Sequence, residues 1–276
     1  MTPPETVNDE LLARIEDGVL WLTINRADAG NAIPYYVRDR LIEHFTDAHT
    51  NLAVRAVVIT GAGEKHFCTG ADLRVRPPAK PKPEGAPEMV VGDAVNTMRA
   101  GFQRLMEAIQ DCQKPVLCAL NGTAAGGGVM LALASDLIVA VDTARLIHVF
   151  VRRGLIPDGG VAYLLPRLVG LHKAKELVFF GDDLSATEAE RIGIVNKVVA
   201  AAEFETAVRE WATRLASGPT KAIGWSKQLL NAALDVDRST LLVTEGMLVE
   251  LNIQTLDSKE GVASFMERRE SEFKGW

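Results

Sequence analysis

Three cysteines, Cys68, Cys112 and Cys118, are all that the 276 residues contain, and no two of them form a C-x-x-C pair. An odd, scattered set gives neither a disulfide framework nor a zinc ligand set, so these are expected to be buried thiols and no metal site is expected. Long apolar runs are missing as well. The longest, such as Val129 to Ala134 and Leu137 to Val141, fall well short of the roughly 20 residues that cross a bilayer, so no membrane partner is expected. A basic excess is also missing, the formal net charge being −6. Nucleic-acid binding rests on clustered cations that release counterions, so no nucleic-acid partner is expected, while local positive groups can still hold a polyanionic ligand. Met1 to Glu10 lacks the basic and apolar regions of a secretory signal, which points to a soluble cytoplasmic protein. No repeat and no Gly/Ser-rich linker forces a domain boundary.

What is present is ample core material, 47% of residues being hydrophobic. Val19 to Asn25, Ala56 to Thr60, Val116 to Leu120 and Leu137 to Val141 are short, largely β-branched runs bounded by turn residues, and read as strands. Met98, Phe102, Leu105, Ile109 and Cys112 recur at steps of four and three, so Gly92 to Cys112 reads as an amphipathic helix stopped before Pro115. Arg74 to Pro87 holds five of the twelve prolines and reads as a long exposed loop. After residue 170 the pattern is helical, over His172 to Phe180, Ala186 to Ile192, Glu203 to Ser217, Thr220 to Leu234, Arg238 to Leu256 and Lys259 to Phe273. One strand, Ile194 to Val199, interrupts it. The coarse expectation is an α/β core followed by helices.

Three Gly-rich segments each follow a predicted strand. Gly61-Ala-Gly-Glu-Lys-His66 lacks the third glycine of a dinucleotide fingerprint and reads as a tight turn. Phe67-Cys-Thr-Gly-Ala-Asp-Leu73 sets a glycine between small residues, either as a surface turn or as a place where backbone meets a ligand. Asn121-Gly-Thr-Ala-Ala-Gly-Gly-Gly-Val-Met130 runs into an apolar helix. Its three glycines cost about 1 kcal/mol each against alanine once helical. Either close packing of helix on sheet offsets that cost, or free N–H groups at the helix start face a developing negative charge.

In this order and spacing, Ile24-Asn25-Arg26 with Asn31-Ala32, Phe67 to Asp72, Lys114-Pro-Val with Asn121-Gly, Ala125 to Gly128 and Gly154-Leu-Ile-Pro-Asp-Gly-Gly160 resemble the crotonase (enoyl-CoA hydratase/isomerase) superfamily. The end, Glu260-Gly-Val with Phe265, Arg268 and Phe273-Lys274, is similar too. The resemblance implies an α/β fold with a ββα spiral core that binds acyl-CoA, over residues 1–200, and a C-terminal helical trimerisation region, over 201–276, docked on the core or on a neighbouring subunit. It further implies a homotrimer or homohexamer and an acyl-CoA thioester substrate. Coenzyme A enters as part of that substrate, with no other cofactor. Two backbone N–H groups, matched to Thr69 and Gly127, are implied to bind the thioester oxygen. Implied substrate contacts come from Arg26, Asp28, Ala29 and Gly30, from Phe67 and Thr69 with Gly70, Ala71, Asp72 and Leu73, from Gly126, Gly127 and Met130, and from Phe150 and Pro157. Phe273 and Lys274 are implied adenosine contacts from a neighbouring subunit.

The family's hydratases activate water with two glutamates, and at the matching positions this chain has Met130 and Phe150. Neither side chain transfers a proton. Asp158 remains, in a Pro-Asp-Gly sequence that is also an ordinary turn. An aspartate there, followed by Leu164-Leu-Pro-Arg167, is similar to the single acid/base of the phenylacetate-type isomerases. In the family's dehalogenases an aspartate near this position is a nucleophile. The expected activity is double-bond isomerisation with Asp158 as acid/base. Hydration by other residues, and silent acyl-CoA binding, stay open. His66, His148 and Cys68 lie near these segments without an assigned task.

Overall fold

The computed structural model describes residues 7–78 and 81–276. The start of the Met1 to Glu10 segment, and residues 79 and 80 of the proline-rich loop, lie outside the described residues. A short helix α1 (Val7–Glu10) leads into a hairpin of β1 (Leu11–Glu16) and β2 (Val19–Ile24). Its turn, Asp17-Gly18, has positive φ at both residues, as a two-residue hairpin turn matching strand twist requires. Helix α2 (Tyr35–Thr50) follows.

Three strand-strand-helix units come next. The first is β3 (Ala56–Gly61), β4 (His66–Cys68) and a broken helix, α3 (Asp93–Met98) and α4 (Arg104–Asp111), joined by a π turn over Arg99–Gln103. The second is β5 (Val116–Leu120), β6 (Thr123–Ala125) and α5 (Gly127–Ala134). The third is β7 (Leu137–Val141), β8 (Arg145–Ile147) and α6 (Val161–Phe180), the last interrupted at Gly170. β9 (Asp183–Ser185), α7 (Ala186–Arg191) and β10 (Lys197–Val199) complete the core, and α8 (Ala201–Ser217), α9 (Thr220–Ala232), α10 (Arg238–Asn252) and α11 (Leu256–Glu267) end the chain.

The first strand of each unit enters a six-stranded sheet, β1-β2-β3-β5-β7-β10, parallel except for the hairpin. The second strand enters a smaller sheet, β4-β6-β8-β9. The chain therefore advances one strand along both sheets per unit, which is a ββα spiral. The main parallel strands are apolar throughout because they are covered on both faces. On one face α8 lays Ala207, Val208, Ala212 and Ala216 over Val58, Leu117 and Val139. On the other, α2, α4 and α5 bury Leu41, Phe45, Leu105, Ile109 and Leu131 against Val57, Ile59 and Cys118. Truncating a fully buried ring such as Phe45 costs about 3–5 kcal/mol.

Helix α5 is buried all round from Gly128 to Ala134. Apolar on every side, it is enclosed by its neighbours, and only Gly127 at its start is partly exposed. The helix expected over Gly92 to Cys112 is the broken pair α3 and α4, because Gly101 departs from helical geometry (φ −100°, ψ −117°). Arg238 to Leu256 also divides: Thr255 caps α11 by accepting a hydrogen bond from the Ser258 N–H. The tail beyond Glu267 is not helical. It folds back so that the Lys274 and Gly275 N–H groups donate to the buried Asp257 carboxylate at 2.6 and 2.7 Å.

Candidate active site

Two bends and one turn come together at the exposed end of α5. In the first bend β4 delivers Phe67 and Cys68, both fully buried, so they anchor the segment from beneath. Phe67 therefore does not line a ligand surface. The Thr69 N–H donates to the Gly30 carbonyl at 3.1 Å, as does its hydroxyl at 3.0 Å. The Gly70 N–H faces the Cys68 sulfur at 3.4 Å, and the Asp72 N–H donates to the Ile33 carbonyl at 2.9 Å. Among the described residues this leaves the Ala71 N–H, on an exposed residue, as the bend's unclaimed donor. Thr69, expected to supply the amide, spends it on Gly30; the open position lies two residues further on.

Gly70 has φ +100°, a conformation that a side chain would strain. A Cβ there would also stand 3.0 Å from the Ala125 oxygen and 3.0 Å from the Gly127 nitrogen. The two bends are thus in contact through a position only glycine fits. In the second bend each glycine has its own reason. Gly126 carries φ +52°, and a Cβ on Gly128 would run into the Cys68 carbonyl oxygen. Gly127 begins the helix, is half-buried, and its N–H has no partner among the described residues. The glycines of the triplet differ in what they do: Gly128 is there for packing, and Gly127 leaves an amide open at a helix start.

The turn carrying Asp158 lies beside them. A Cβ on Gly127 would meet the Phe102 ring at 2.9 Å, and one on Gly159 would stand 3.4 Å from the Phe102 Cβ and 3.3 Å from the Met130 Cγ. Phe102 therefore lies against both Gly127 and the residue next to Asp158. Asp158 is half-buried, and burial pushes its carboxyl pKa up, its own backbone opposing in part. Met130 and Phe150 are buried in the core, Pro157 is half-buried and Leu73 is exposed.

Arg26 and Asp72, expected at the ligand, are spent on each other. Arg26 Nη1 donates to Asp72 Oδ2 at 2.9 Å and to the Ala32 carbonyl at 2.5 Å, while its Nε lies 3.3 Å from Glu10 Oε1. Arg74 adds a 2.9 Å hydrogen bond to the other Asp72 oxygen. Asn31 and Asn121 brace the flanking loops, Asn31 Nδ2 donating to the His66 and Ala62 carbonyls and Asn121 Nδ2 to those of Gly61 and Gly63. These side chains hold backbone in place. Asp28 is exposed and Ala29 half-buried on the short turn that ends at Gly30. Among the described residues, the hydrogen bonds and ion pairs of Lys274 are with α11 and the tail, and Phe273 lies against Gly261.

Burial pushes the Cys68 thiol up to about 12, so it is no nucleophile at neutral pH. His148 is fully enclosed, neither ring nitrogen has a partner among the described residues, and burial pushes its pKa down to about 4. The Nδ1 of His66 is likewise buried without a partner.

A family model described as enoyl-CoA hydratase/isomerase matches residues 14–276. The chain belongs to that family. It is 33% identical over 267 residues to the 1,2-epoxyphenylacetyl-CoA isomerase of Escherichia coli, covering 96% of this chain and 98% of that one. It is 34% identical to the short-chain-enoyl-CoA hydratase of Clostridium acetobutylicum, covering 96% and 97%. The crystal structure of an enoyl-CoA hydratase from Bacillus anthracis superposes with a TM-score of 0.86 at 32% identity, covering 97% of this chain and 100% of that chain. The spiral described above is the crotonase fold, and the chain is an enzyme of the enoyl-CoA hydratase/isomerase type.

Proposed function

We propose that this enzyme moves a carbon–carbon double bond in an acyl-CoA thioester, with the Ala71 and Gly127 amides holding the thioester oxygen and Asp158 carrying the proton. The observation that carries this reading is the pair of unclaimed N–H groups in two touching bends, with a single carboxylate in the adjoining turn. Both amides donate to the carbonyl oxygen and strengthen as negative charge gathers there. Asp158 removes a proton from C2 of a 3-enoyl thioester, and the C2–H electron pair flows into a dienolate whose charge rests on that oxygen. The protonated Asp158 then returns the proton at C4, leaving the double bond between C2 and C3. A carboxyl whose pKa is raised by burial holds the proton between the two steps better than an exposed one. Met130 and Phe150, buried where the family's hydratases carry glutamates, favour this route over two-glutamate hydration.

We assign the protein to a homotrimer or homohexamer in the cytoplasm, taking coenzyme A only as part of its substrate. Exposed Leu242, Val243, Met247 and Leu251 on α10 support the assembly. No described helix is long and apolar enough to cross a membrane. Phe273 and Lys274 are assigned to a neighbouring protomer's adenosine.

The test is turnover of 3-enoyl-, 2-enoyl- and ring-bearing acyl-CoA by the wild type and by Asp158→Asn. Isomerisation that falls at least 100-fold in the variant, with thioester binding retained, supports the reading. Equal activity of the two proteins overturns the role of Asp158. Binding without any turnover points to an acyl-CoA-binding protein instead, and a stable mass increase on Asp158 to a nucleophile.

A further inference from the structure

Met106 joins two features that the proposed chemistry leaves unused. On one side its thioether lies on the turn that carries Asp158: a Cβ added to Gly160 would stand 2.8 Å from its Cε and 3.1 Å from its Cγ. On the other side it lines a solvent-open cavity of about 510 Å³ between α2, α4, α6 and α9, whose walls include Gln110, Tyr163, Asn231 and Asp235. Phe102 stands four residues earlier, in the π turn but past the break at Gly101, where the backbone is again helical, and residues so spaced on a helical backbone share a face. Its ring covers Gly127 and its Cβ faces Gly159. Phe102 and Met106 are both half-buried and packed on the core. Together they form an apolar strip that runs from the open Gly127 amide, past the Asp158 turn, to the cavity.

We infer that Met106 is the end wall of the acyl pocket and limits this enzyme to short or compact acyl groups, the cavity behind it being an extension closed off by one side chain. The inference rests on the reading of the site given above. An acyl chain bound at the two amides and passing Asp158 along the Phe102 ring runs toward Met106, which packs on Gly160 two residues after Asp158. Methionine is unbranched and flexible, so it fills such a gap well and leaves a clear path when it is removed. The cavity beyond is walled partly by amide, phenol and carboxylate groups, so an alkyl chain gains little by displacing the thioether to enter it.

The test is equilibrium binding of saturated, unreactive acyl-CoAs, from butanoyl to hexadecanoyl, to the full-length protein, measured by calorimetry alongside free coenzyme A. In the wild type, affinity is expected to rise about fourfold per methylene up to a short cut-off and then to fall. Met106→Ala deletes three heavy atoms and is expected to move the cut-off out by about three carbons, each worth one buried methylene. Met106→Trp is expected to move it in. Adding Ala232→Trp, which fills the cavity, to Met106→Ala should restore the wild-type cut-off, while Ala232→Trp alone should change nothing. A cut-off that stays put in both Met106 variants, with native circular dichroism, overturns the end wall and leaves the site reading intact. Wild-type protein that binds butanoyl-CoA no better than free coenzyme A overturns the site reading and the end wall with it.

Discussion

The Arg26 guanidinium donates to the Asp72 carboxylate at 2.9 Å across 46 residues of sequence, with only 12% and 2% of the two side chains exposed. The pair pins the bend that presents the Ala71 amide: Asp72 holds it from one end, and the Ile33 N–H donates to the Gly70 carbonyl at 2.7 Å just before it. Hydrogen bonds from Arg74 and Arg26 outweigh burial and hold the Asp72 pKa at about 2, against an ordinary 3.8. Arg74 is mostly exposed and screened by solvent, so the enclosed Arg26 contributes the larger share of the stabilisation.

A carboxylate whose pKa is depressed on folding stabilises the fold above its unfolded value and loses that stabilisation as pH falls through the folded one. Asp72→Asn is therefore expected to cost on the order of 2 kcal/mol at neutral pH. The deficit relative to wild type should close between about pH 4 and pH 2. Urea unfolding of both proteins across that window checks it, and a constant deficit at every pH would show that the charge is not what matters.

His148 acts in the same direction, losing stability as pH falls, but in a higher window and for a different cause, burial of its ring. Its pKa falls from 6.5 to about 4 on folding, so between those values the unfolded chain binds the extra proton. Stability is complete above pH 6.5 and declines as pH drops toward 4, by on the order of 3 kcal/mol in total. His148→Leu, which also removes two buried nitrogens without partners, is expected to flatten the wild-type curve in that window. Thermal unfolding at pH 7 and pH 5 measures it; an unchanged slope refutes it.

Ala71 and Thr69 differ in whether the backbone N–H already has an acceptor. Ala71→Pro deletes the N–H that is unclaimed and is expected to lower kcat/KM by about 100- to 1,000-fold, the usual loss for one such donor. Thr69→Val keeps the amide that bonds Gly30, losing only the 3.0 Å hydroxyl contact, and should cost less than about tenfold through a net bond worth about 1 kcal/mol. Steady-state kinetics with melting temperatures for both variants decides. A loss in Ala71→Pro no larger than that in Thr69→Val would show that the Ala71 amide is not the donor.

Two glycines predict opposite signs of stability. Gly128→Ala forces a methyl into the Cys68 carbonyl, backbone against backbone, and is expected to cost about 3 kcal/mol or prevent folding. Gly246 lies in α10, is exposed, and has nothing within 4 Å of an added Cβ. Gly246→Ala should gain up to about 1 kcal/mol by helix propensity. Chemical denaturation of the two variants gives both signs.

Much of the fold is legible locally. Val116 to Leu120 and Leu137 to Val141 are strands at the predicted bounds, because a covered parallel strand must be apolar on both faces. β4, β6, β8 and β9, three residues each, escape notice because so short a segment has no period to read. β1 escapes because five of its six residues face outward. Helix α2 is missed although Val37, Leu41, Phe45 and Ala48 recur at helical spacing; its signal was present. The first half of α6 was hidden by Pro166 within it and by Gly170, where the helix breaks.

The sequence by itself determined which segments make up the candidate site: the Thr69 to Asp72 bend, the glycine triplet and Asp158 are set by residue type, since a missing Cβ or a carboxyl group is visible in one dimension. Only the tertiary structure decided which amide is open, that Arg26 and Asp72 answer each other, and that Met106 stands between the Asp158 turn and a cavity. Every backbone N–H looks alike in sequence. What separates Thr69 from Ala71 is an acceptor 39 residues before Thr69, and such a partner exists only once the spiral has closed.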